Sequence, residues 1–209
     1  IRDSINSVSD LLSLAKNCAY DQWSVGKTVI LQKDLSLEGM LWEPIPSFSG
    51  QFKGNGHTIS DLTITGQYSP AGLFGIVEEQ GSIESLSVRG IVSVSDSADT
   101  TTGGIVGINH GTLINCQFTG VVTGDSEVGG IVGRNESEGT IDHSTARAIV
   151  TGKSSTGGIA GYNLGAITGC TNVGSINTEY QEASLDTDGF TAKMVDYIHL
   201  SLIHISEPT

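Results

Sequence analysis

The sequence predicts an all-β protein: a parallel β-helix with three-strand coils of about 26–28 residues and a short N-terminal capping α-helix. Three observations lead to this fold class. A glycine-rich phrase recurs along the chain, the composition favours strands and turns, and each repeat is too short to close its own core. The chain has 28 glycines and only 4 prolines, and its many Ser, Thr, Ile and Val residues suit short strands joined by tight turns.

The repeat is clearest in three segments: GGIVGINHGTLINC from Gly103, GGIVGRNESEGTIDHS from Gly129 and GGIAGYNLGAITGC from Gly157. Their glycine pairs are 26 and 28 residues apart, and AGLFG from Ala71 is an earlier copy. Periods of this length are typical of solenoids and repeat arrays. A propeller blade usually needs ~40–45 residues, and these segments are too poor in leucine for leucine-rich repeats. Stacked β-coils therefore fit best.

Each copy contains three short apolar segments, such as GIVGI, TLINC and FTGVV, separated by Gly or Asn at turn positions. A unit this small cannot bury its own apolar face, so it must stack on its neighbours. Stacking pairs each strand with its counterpart about 4.8 Å above and below. Differences in repeat length fall at residues 95–102 and 135–139, which we expect to be outward turns.

The register of the copies predicts a ladder of asparagines. Asn109, Asn135 and Asn163 occupy one turn position in three successive coils. Asparagine tolerates left-handed backbone, and stacked amides can hydrogen-bond along a common axis. We therefore interpret these residues as structural, in preference to a sugar-binding set of amides.

A second structural column consists of Cys116, Ser144 and Cys170, which also correspond in successive copies. With Cys18, the chain has three cysteines, which form neither a metal quartet nor an even disulfide set. Cys116 and Cys170 are two coils apart, roughly 9.6 Å, which exceeds the ~7 Å limit for a disulfide. We expect them to be small buried apolar residues.

The chain divides into three predicted parts: residues 1–25 form a helical cap, 26–178 the β-helix, and 179–209 an irregular tail. The segment from Ser7 to Asp10 has the spacing of a capping box. The apolar residues at helical intervals that follow predict a buried helix face, with a partner-binding amphipathic helix as the alternative; they are Val8, Leu11, Leu12, Ala15 and Cys18. At the start of the coils, Asn55-Gly56 predicts a corner with positive φ, after which Ile59, Leu62 and Ile64 return to the core.

The ends of the chain carry separate expectations. The chain starts at Ile1 without an initiator Met or signal peptide, so we expect it to be cut from a longer protein or to have lost its start. The repeat pattern breaks after Thr178, where we expect the β-helix to be truncated. The last nine residues, SLIHISEPT, resemble translated sequencing-adapter read-through and are excluded from fold reasoning.

The charge balance argues against nucleic-acid and anionic-membrane partners. Ten basic and 23 acidic side chains give a net charge of −13, which repels phosphate backbones and acidic lipid. No apolar run approaches the ~20 residues of a membrane span. We therefore expect that this segment does not insert into a membrane. We also expect it to be a monomer.

The sequence contains no complete catalytic or cofactor motif. WSVGKT ends like a phosphate loop, but Asp21 stands where the first glycine is required, and His-Glu-x-x-His is absent. We predict no cofactor, no metal and no catalytic residue. The best constellation for an enzyme is Asp142 beside His143, with Arg147 on the next strand.

Calcium is the one metal that the loop residues suggest. Asp96, Asp99, Asp125 and Glu127 fall in corresponding loops and offer hard oxygen ligands. Lys153 stands in the next coil where the second coil has Asp125. We therefore interpret the acidic residues as a solvated rim.

The segments FSGQFKGNGHTISDLTI, AGLFG and GGIVGINHGTLINC resemble the GLUG-type repeats of bacterial cell-surface proteins and of the non-catalytic region of immunoglobulin A metallopeptidases. Those repeats are similar to pectin-lyase-like right-handed β-helices, and the likeness covers about residues 25–178. It implies an extracellular or cell-wall location in a bacterium. It carries no shared catalytic residues.

These observations predict a non-catalytic module of a larger surface protein that acts as a rigid spacer, an adhesive surface, or both. The expected partner is a host or cell-wall glycan or protein, bound by the loops at residues 95–102, 124–128 and 152–156. A polysaccharide lyase or glycosidase is the first alternative, because β-helices commonly host such chemistry. The second is an accessory domain of a secreted metallopeptidase, whose gene would encode His-Glu-x-x-His downstream.

Overall fold

The computed structural model describes residues 2–20, 22–94 and 99–177, in which parallel sheets stack as a β-solenoid of about six turns. Each strand pairs in parallel with its counterpart in the next coil. The predicted all-β solenoid with one short N-terminal helix is confirmed. The predicted tail at 179–209, and Asp96 among the acidic loop residues, lie outside the described residues.

The helix is α1 (Val8–Asn17). The strands, in chain order, are β1 Arg2–Ile5, β2 Thr28–Leu31, β3 Leu35–Ser36, β4 Ile45–Phe48, β5 Gln51–Lys53, β6 Thr58–Gly66, β7 Phe74–Val77, β8 Ser82–Glu84, β9 Ser87–Val94, β10 Thr101–Gly103, β11 Val106–Asn109, β12 Thr112–Ile114, β13 Gln117–Thr123, β14 Glu127–Gly129, β15 Val132–Asn135, β16 Thr140–Asp142, β17 Thr145–Thr151, β18 Ser155–Gly157, β19 Ala160–Asn163, β20 Ala166–Thr168, β21 Thr171–Asn172 and β22 Ser175–Ile176.

Four sheets run along the solenoid in the described residues. Sheet 1 has the order β1-β2-β5-β8-β12-β16-β20, and sheet 2 has β21-β17-β13-β9-β6-β3, with β22 also paired to β17. Sheet 3 has the order β19-β15-β11-β7-β4, and sheet 4 has β10-β14-β18. The three strands that the sequence predicts for each coil correspond to sheets 1, 2 and 3. Sheet 4 adds a fourth, three-residue strand to the later coils.

The core lies on the solenoid axis and changes in character along it. In the early coils Phe48, Phe52 and Phe74 form an aromatic cluster with ring centroids 5.3–6.2 Å apart. In a later coil, β17 contributes only Ala146, Ala148 and Val150. Inward side chains alternate with outward ones on most strands, as a two-sided sheet requires, so the inward positions determine the fold and the outward positions are available for function.

The N-terminal segment covers the first coil with both a helix and a strand. The Ser7 hydroxyl accepts a hydrogen bond from the Asp10 N–H at 3.1 Å, which caps α1 as predicted. Leu11 and Leu14 of the helix are buried, whereas Leu12 is 43% exposed. The assignment of Leu12 to the buried face was therefore wrong, because residues 11, 14 and 18 share one face at intervals of three and four.

The first corner of the coils has the predicted backbone. Asn55 and Gly56 have φ of 56° and 79°, and Ile59, Leu62 and Ile64 are fully buried. The register of β6 against β9 shifts between Ile59 and Leu62. Two residues separate these inward side chains, whereas strict alternation of inward and outward side chains leaves room for only one. The shift in register accommodates the extra residue.

Candidate functional site: stacked ladders and the loop edge

The recurring glycine pair is required because the chain packs against its own backbone. A Cβ on Gly103 would lie 2.1 Å from the carbonyl oxygen three residues later, and the equivalent distances at Gly129 and Gly157 are 1.9 and 2.0 Å. At the second glycine of the first pair, Gly104, a Cβ would lie 2.4 Å from the Phe118 ring. Because glycine has no Cβ, the chain can pass directly from the short strand of sheet 4 into the next strand, which belongs to sheet 3.

The structure places the three predicted asparagines in one column. Asn109 Nδ2 donates to Asn135 Oδ1 at 2.8 Å, and Asn135 Nδ2 donates to Asn163 Oδ1, also at 2.8 Å. Each Nδ2 also donates to the carbonyl oxygen of a glycine in its own turn, at 3.1 Å. Asn109 and Asn135 are fully buried. Each coil therefore hydrogen-bonds to the next through a side chain as well as through its backbone.

The left-handed corner lies elsewhere, contrary to the sequence interpretation. The ladder asparagines end strands β11, β15 and β19, and none has positive φ. Positive φ occurs at the next corner of successive coils, at Ser85 (52°), Asn115 (53°), His143 (45°) and Gly169 (62°). Asparagine is favoured at the ladder because its amide both donates and accepts, and not because of its backbone.

Cys116, Ser144 and Cys170 form a second column. The Cys116 N–H donates to Ser144 Oγ at 3.1 Å, and the Ser144 N–H donates to Cys170 Sγ at 3.5 Å. All three cysteines of the chain are free thiols. Burial raises the pKa of the Cys116 thiol to about 12 and that of Cys18 to about 11. A raised pKa keeps these thiols protonated and unreactive at neutral pH.

The loops predicted to bind a ligand form one outer rim, which we call the loop edge: the described parts of residues 99–102, 124–128 and 152–156. Asp125 Oδ1 contacts Lys153 Nζ at 2.7 Å. The Asp99 N–H donates to Ser126 Oγ at 3.1 Å, and the Asp125 N–H donates to Thr100 Oγ1 at 2.9 Å. Successive loops are thus tied together and follow the same axis as the strands.

The loop edge is narrower than the sequence suggested. Residues 101–102, 127–128 and 155–156 belong to the strands of sheet 4, and Thr102 and Val128 are fully buried. Sequence reasoning assigned them to loops because a three-residue strand is too short for a recognisable alternation. The Thr102 hydroxyl has no hydrogen-bond partner.

Sequence reasoning missed an ionic cluster on the outer face of sheet 3. Arg134 Nη1 contacts Glu127 Oε1 at 2.7 Å, and its Nε contacts Glu136 Oε1 at 2.5 Å. The hydrogen bond to Glu136 is the main cause of a raised pKa for Arg134. The Arg134 guanidinium also lies 4.8 Å from the Tyr162 ring centroid. The alignment of the repeats could have predicted the contact between Arg134 and Tyr162, because the two residues occupy the same position in successive copies. Paired outward residues on neighbouring strands contact each other.

Two of the acidic loop residues pair with basic side chains of the protein. Asp125 pairs with Lys153, and Glu127 pairs with Arg134. Within residues 2–20, 22–94 and 99–177, no group of three or more His, Cys, Asp or Glu side chains is placed to hold a metal ion. In the same residues, no helix has the length and apolar character needed to cross a membrane.

Two further histidines of the described residues lie beside acidic residues. His57 Nδ1 is 3.1 Å from Asp34 Oδ1, and His110 Nδ1 is 3.8 Å from Glu138 Oε2. The Asp34 carboxylate accepts a hydrogen bond from the Thr58 N–H, which is the main reason that its pKa is lowered. These contacts link neighbouring turns at the surface.

The strongest enzymatic constellation lies at an exposed corner. His143 Nδ1 is 2.8 Å from Asp142 Oδ1, and the His143 side chain is 65% exposed. Arg147 follows on β17, at an outward position of sheet 2. A catalytic acid of a glycosidase needs a raised pKa, usually through burial. The Asp142 side chain is 32% exposed, so burial removes only part of the water around its carboxyl group.

These features define a class of protein: a β-solenoid repeat protein with inward glycine, asparagine and apolar positions that stack in columns. Residues 124–151 match the family model described as the GLUG motif. The resemblance to GLUG-type repeats and to immunoglobulin A proteases is confirmed by this match and by the structural neighbour described next.

Two relatives and one solved structure are similar to this chain. Halomucin of Haloquadratum walsbyi is 32% identical over 155 residues, covering 68% of this chain and 2% of halomucin. A candidate Gly-rich membrane protein of Evansella cellulosilytica is 30% identical over 137 residues, covering 47% of this chain and 16% of that protein. The crystal structure of a candidate immunoglobulin A1 protease from Bacteroides ovatus superposes with a TM-score of 0.58 at 16% identity, covering 86% of this chain and 79% of that one.

The comparisons differ in what they establish. At 16% identity the solved structure shows the fold alone. The chain spans about 2% and 16% of the two relatives it matches, so it corresponds to a small segment of each. Taken together, the matches are consistent with a repeat module of a surface protein.

Proposed function

We propose that this chain is a non-catalytic repeat module of a larger surface or secreted protein and that it acts there as a rigid spacer. The observation that carries the proposal is the continuous asparagine column, in which the amides of three coils hydrogen-bond in series and those of Asn109 and Asn135 are fully buried. The names of the relatives and the match to the GLUG motif support the surface location.

The geometry gives a physical reason for stiffness. Four sheets surround the axis, so bending in any direction opens inter-coil hydrogen bonds on the convex side. A disordered linker bends with no comparable loss. A solenoid therefore holds its two ends apart along a fixed direction, which is what a spacer requires.

Force spectroscopy on the full chain, pulled from its two ends, tests the spacer proposal. We expect discrete unfolding steps, each releasing one coil of 26–28 residues, or about 90 Å of contour length at ~3.3 Å per residue. Asn135→Leu should lower the unfolding force of the coils that it touches, and Asn163→Leu, at an exposed position, serves as the matched control. Smooth, low-force extension without steps would reject the spacer.

We also propose that the loop edge carries the adhesive function of the module. Its exposed groups are hydroxyl, carboxylate and ammonium side chains held on adjoining coils. Such spaced polar groups suit a host or cell-wall glycan or protein. Because Thr102 and Val128 are buried, a fair test replaces only residues 125–126 and 153–154 with Gly-Ser pairs. Binding of the full chain to a glycan array and to cell-wall preparations should be lost while the circular dichroism spectrum stays unchanged; retained binding rejects the loop edge.

A polysaccharide lyase or glycosidase is the competing proposal, supported by the 2.8 Å contact between Asp142 and His143. Incubation with anionic and neutral polysaccharides, followed by assays for unsaturated and reducing ends, distinguishes it from the spacer. Release of products that depends on Asp142 and His143 would favour the enzyme. An accessory role in a secreted metallopeptidase is tested separately, by looking for His-Glu-x-x-His in the complete gene.

A further inference from the structure

The turns that join sheet 3 to sheet 1 alternate in length along the solenoid. Each turn runs from the last residue of a sheet 3 strand to a glycine that precedes the following sheet 1 strand. One residue separates these two points at Ser49, His110 and Leu164, whereas three residues separate them at 78–80 and at 136–138. A short turn between two longer segments leaves a gap at the surface unless its side chain fills it.

At Ser49 such a gap forms a cleft of about 390 Å³, which we call the cap cleft. One wall is the loop after α1, with Gln22 and Val25, and the other is the turn at residues 78–80. Ser47 and Ser49 line the cleft from the coil between them. Ligand pockets usually measure about 300–1,000 Å³, so this volume suits a molecule with one or two rings and not a long polymer.

Hydrogen bonds close both walls of the cap cleft. The Val25 N–H donates to the Gln22 carbonyl oxygen at 3.1 Å, and the Gly81 N–H donates to the Glu78 carbonyl oxygen at 2.8 Å. Each wall is therefore a turn with a hydrogen bond between its first and fourth residues. Because the walls are already formed, a ligand does not have to order them on binding, which lowers the cost in free energy.

Contacts between the chain segments fix the spacing of the two walls. The Ser49 N–H donates to the buried Ser24 hydroxyl at 2.9 Å, and the Glu78 N–H donates to the Phe48 carbonyl oxygen, also at 2.9 Å. A Cβ on Gly50 would lie 2.7 Å from the Ser24 carbonyl oxygen, so the loop after α1 packs directly against this turn. The coil that carries Ser49 is thus tied to both walls.

A later coil shows how a longer side chain spans the equivalent gap. His110 has the position of Ser49 in its own coil, since each follows the last residue of a paired sheet 3 strand. Its Nδ1 lies 3.8 Å from Glu138 Oε2, on the three-residue turn of the next coil. The imidazole therefore reaches from the short turn to the longer one. The serine side chain at position 49 is too short to do so.

The lining of the cap cleft combines hydrogen-bond donors with acceptors. Glu78 Oε1 accepts a hydrogen bond from the Ser47 hydroxyl at 2.8 Å, which fixes the orientation of the carboxylate. Glu79 supplies a second carboxylate, and the amides of Gln22 and Gln80 each offer two N–H donors and an acceptor oxygen. A sugar hydroxyl group also both donates and accepts, so several hydroxyl groups of one sugar ring can be satisfied together.

The same lining favours an uncharged sugar over charged ligands. The two carboxylates repel a carboxylated or sulfated sugar. A metal ion would leave the amide N–H groups without acceptors, and no metal-binding group of three or more His, Cys, Asp or Glu occurs within the described ranges. Val25, which is 44% exposed, offers an apolar contact for the C–H face of a sugar ring.

We propose that the cap cleft binds one uncharged sugar unit, such as the terminal unit of a neutral glycan. Its hydroxyl groups donate to the carboxylates of Glu78 and Glu79 and accept from the amides of Gln22 and Gln80. One face of its ring lies against Val25. This site lies at the first coils and uses none of the residues of the loop edge, so it goes beyond both the spacer and the adhesive role proposed above.

NMR titration of the full, isotope-labelled chain tests the proposal. The neutral probes are the methyl glycosides of glucose, galactose and mannose, together with N-acetylglucosamine; glucuronic acid tests a negative ligand and ethylamine a positive one. Ser49→His fills the cleft with the side chain that a later coil uses, and Leu164→His makes the same change at the equivalent exposed position of the last coil. Glu78→Ala removes one carboxylate of the cleft, and Glu138→Ala removes one from the other three-residue turn.

We expect at least one neutral sugar to bind and to shift the amide signals of residues 22–25, 47–49 and 78–80. Glucuronic acid and ethylamine should bind at least about tenfold more weakly. Ser49→His and Glu78→Ala should each weaken sugar binding at least about tenfold, since a hydrogen bond to a charged group contributes that much to a binding constant. Leu164→His and Glu138→Ala should stay within about twofold of the parent, because they lie in other coils. Binding of an uncharged sugar should not weaken as salt rises.

Four results would overturn the proposal: no binding of any neutral sugar, binding of ethylamine as tight as that of the sugars, equal effects of Ser49→His and Leu164→His, or sugar binding that the loop-edge replacement abolishes while Ser49→His retains it. The last result would assign the sugar to the loop edge. Failure of the spacer function is visible independently, because it is measured by force and needs no ligand.

Discussion

Replacing Asn135 with leucine tests whether the asparagine column holds the coils together. The fully buried side chain makes three hydrogen bonds, to Asn109, to Asn163 and to the Gly139 carbonyl. Leucine removes all three and leaves one Asn109 N–H buried without a partner, whereas the Gly139 carbonyl still accepts a hydrogen bond from the Ala166 N–H. At about 1–3 kcal/mol for the unpaired N–H and about 1 kcal/mol for the hydrogen bond lost at Gly139, the expected loss of unfolding free energy is roughly 2–4 kcal/mol.

Two further variants separate the ladder from simple packing. Asn163→Leu removes the acceptor of one Asn135 N–H and the hydrogen bond to the Gly165 carbonyl. Because residue 163 is exposed, water can replace the bonds that Asn163 itself makes, so we expect a smaller loss than for Asn135→Leu. Asn135→Asp keeps the shape but replaces two N–H donors with acceptors that face the Gly139 carbonyl and the Asn163 oxygen. It should be at least as destabilised as Asn135→Leu at neutral pH, with a smaller deficit in acid, where protonation returns one donor.

Guanidinium unfolding followed by circular dichroism measures these changes, and comparison of several probes shows whether the transition is two-state, because solenoids can unfold coil by coil. Equal stability of Asn135→Leu and the parent would refute the argument that the column supports the coils. Equal losses at Asn135 and Asn163 would show that burial plays no part in the effect.

Three further variants and measurements follow from the same structure. Gly103→Ala should lose about 3 kcal/mol or more, because its Cβ would lie 2.1 Å from a backbone oxygen, whereas Gly75→Ala, with its nearest atoms at 3.3 Å, should lose less than about 1 kcal/mol in thermal unfolding. Thr102→Val should gain about 1 kcal/mol, because it removes a buried hydroxyl that has no partner; a loss would show that the hydroxyl is satisfied. With a thiol reagent at pH 8, the partly exposed Cys170 should react first, and Cys116 only on unfolding. Folding raises the pKa of the Cys116 thiol from 9.0 to about 12. The stabilisation that this thiol contributes is therefore present below pH 9 and is lost as the pH rises through about 12. Comparing the unfolding free energy at pH 8 and pH 11 tests this.

The repeat spacing predicts the stacking of coils because identical inward environments must recur at each turn. Gly103 and Gly129 mark the period in the sequence, and the structure explains them by close approach of backbone to backbone. The asparagine register could be read from alignment of the copies alone. The left-handed corner could not, because Asn109 and Asn115 are both asparagines beside a turn, and only three-dimensional contacts show which amide is stacked and which backbone is strained.

Short elements account for most of what the sequence did not predict. The strands of sheet 4 have three residues each, which is fewer than the four to eight over which alternation is recognisable. Helical spacing alone also did not choose between Leu12 and Leu14, since Leu12 lies four residues after Val8 and Leu14 three residues after Leu11. Which of the two leucines is buried depends on the side of the helix that packs against the first coil, and only the tertiary structure shows this.

The outward positions carry the functional information because the fold does not require particular residues there. Most inward positions are glycine, asparagine or apolar for the reasons given above, with Ser144 among the exceptions, so the fold constrains them whatever the module binds. Stacking of the coils does not fix the outward residues: sheet 1 carries Glu84, paired with Lys53, and sheet 3 carries Arg134, paired with Glu136. Differences between modules of this fold are therefore expected at such outward positions, and a variant there should change binding while leaving the stacking of the coils intact.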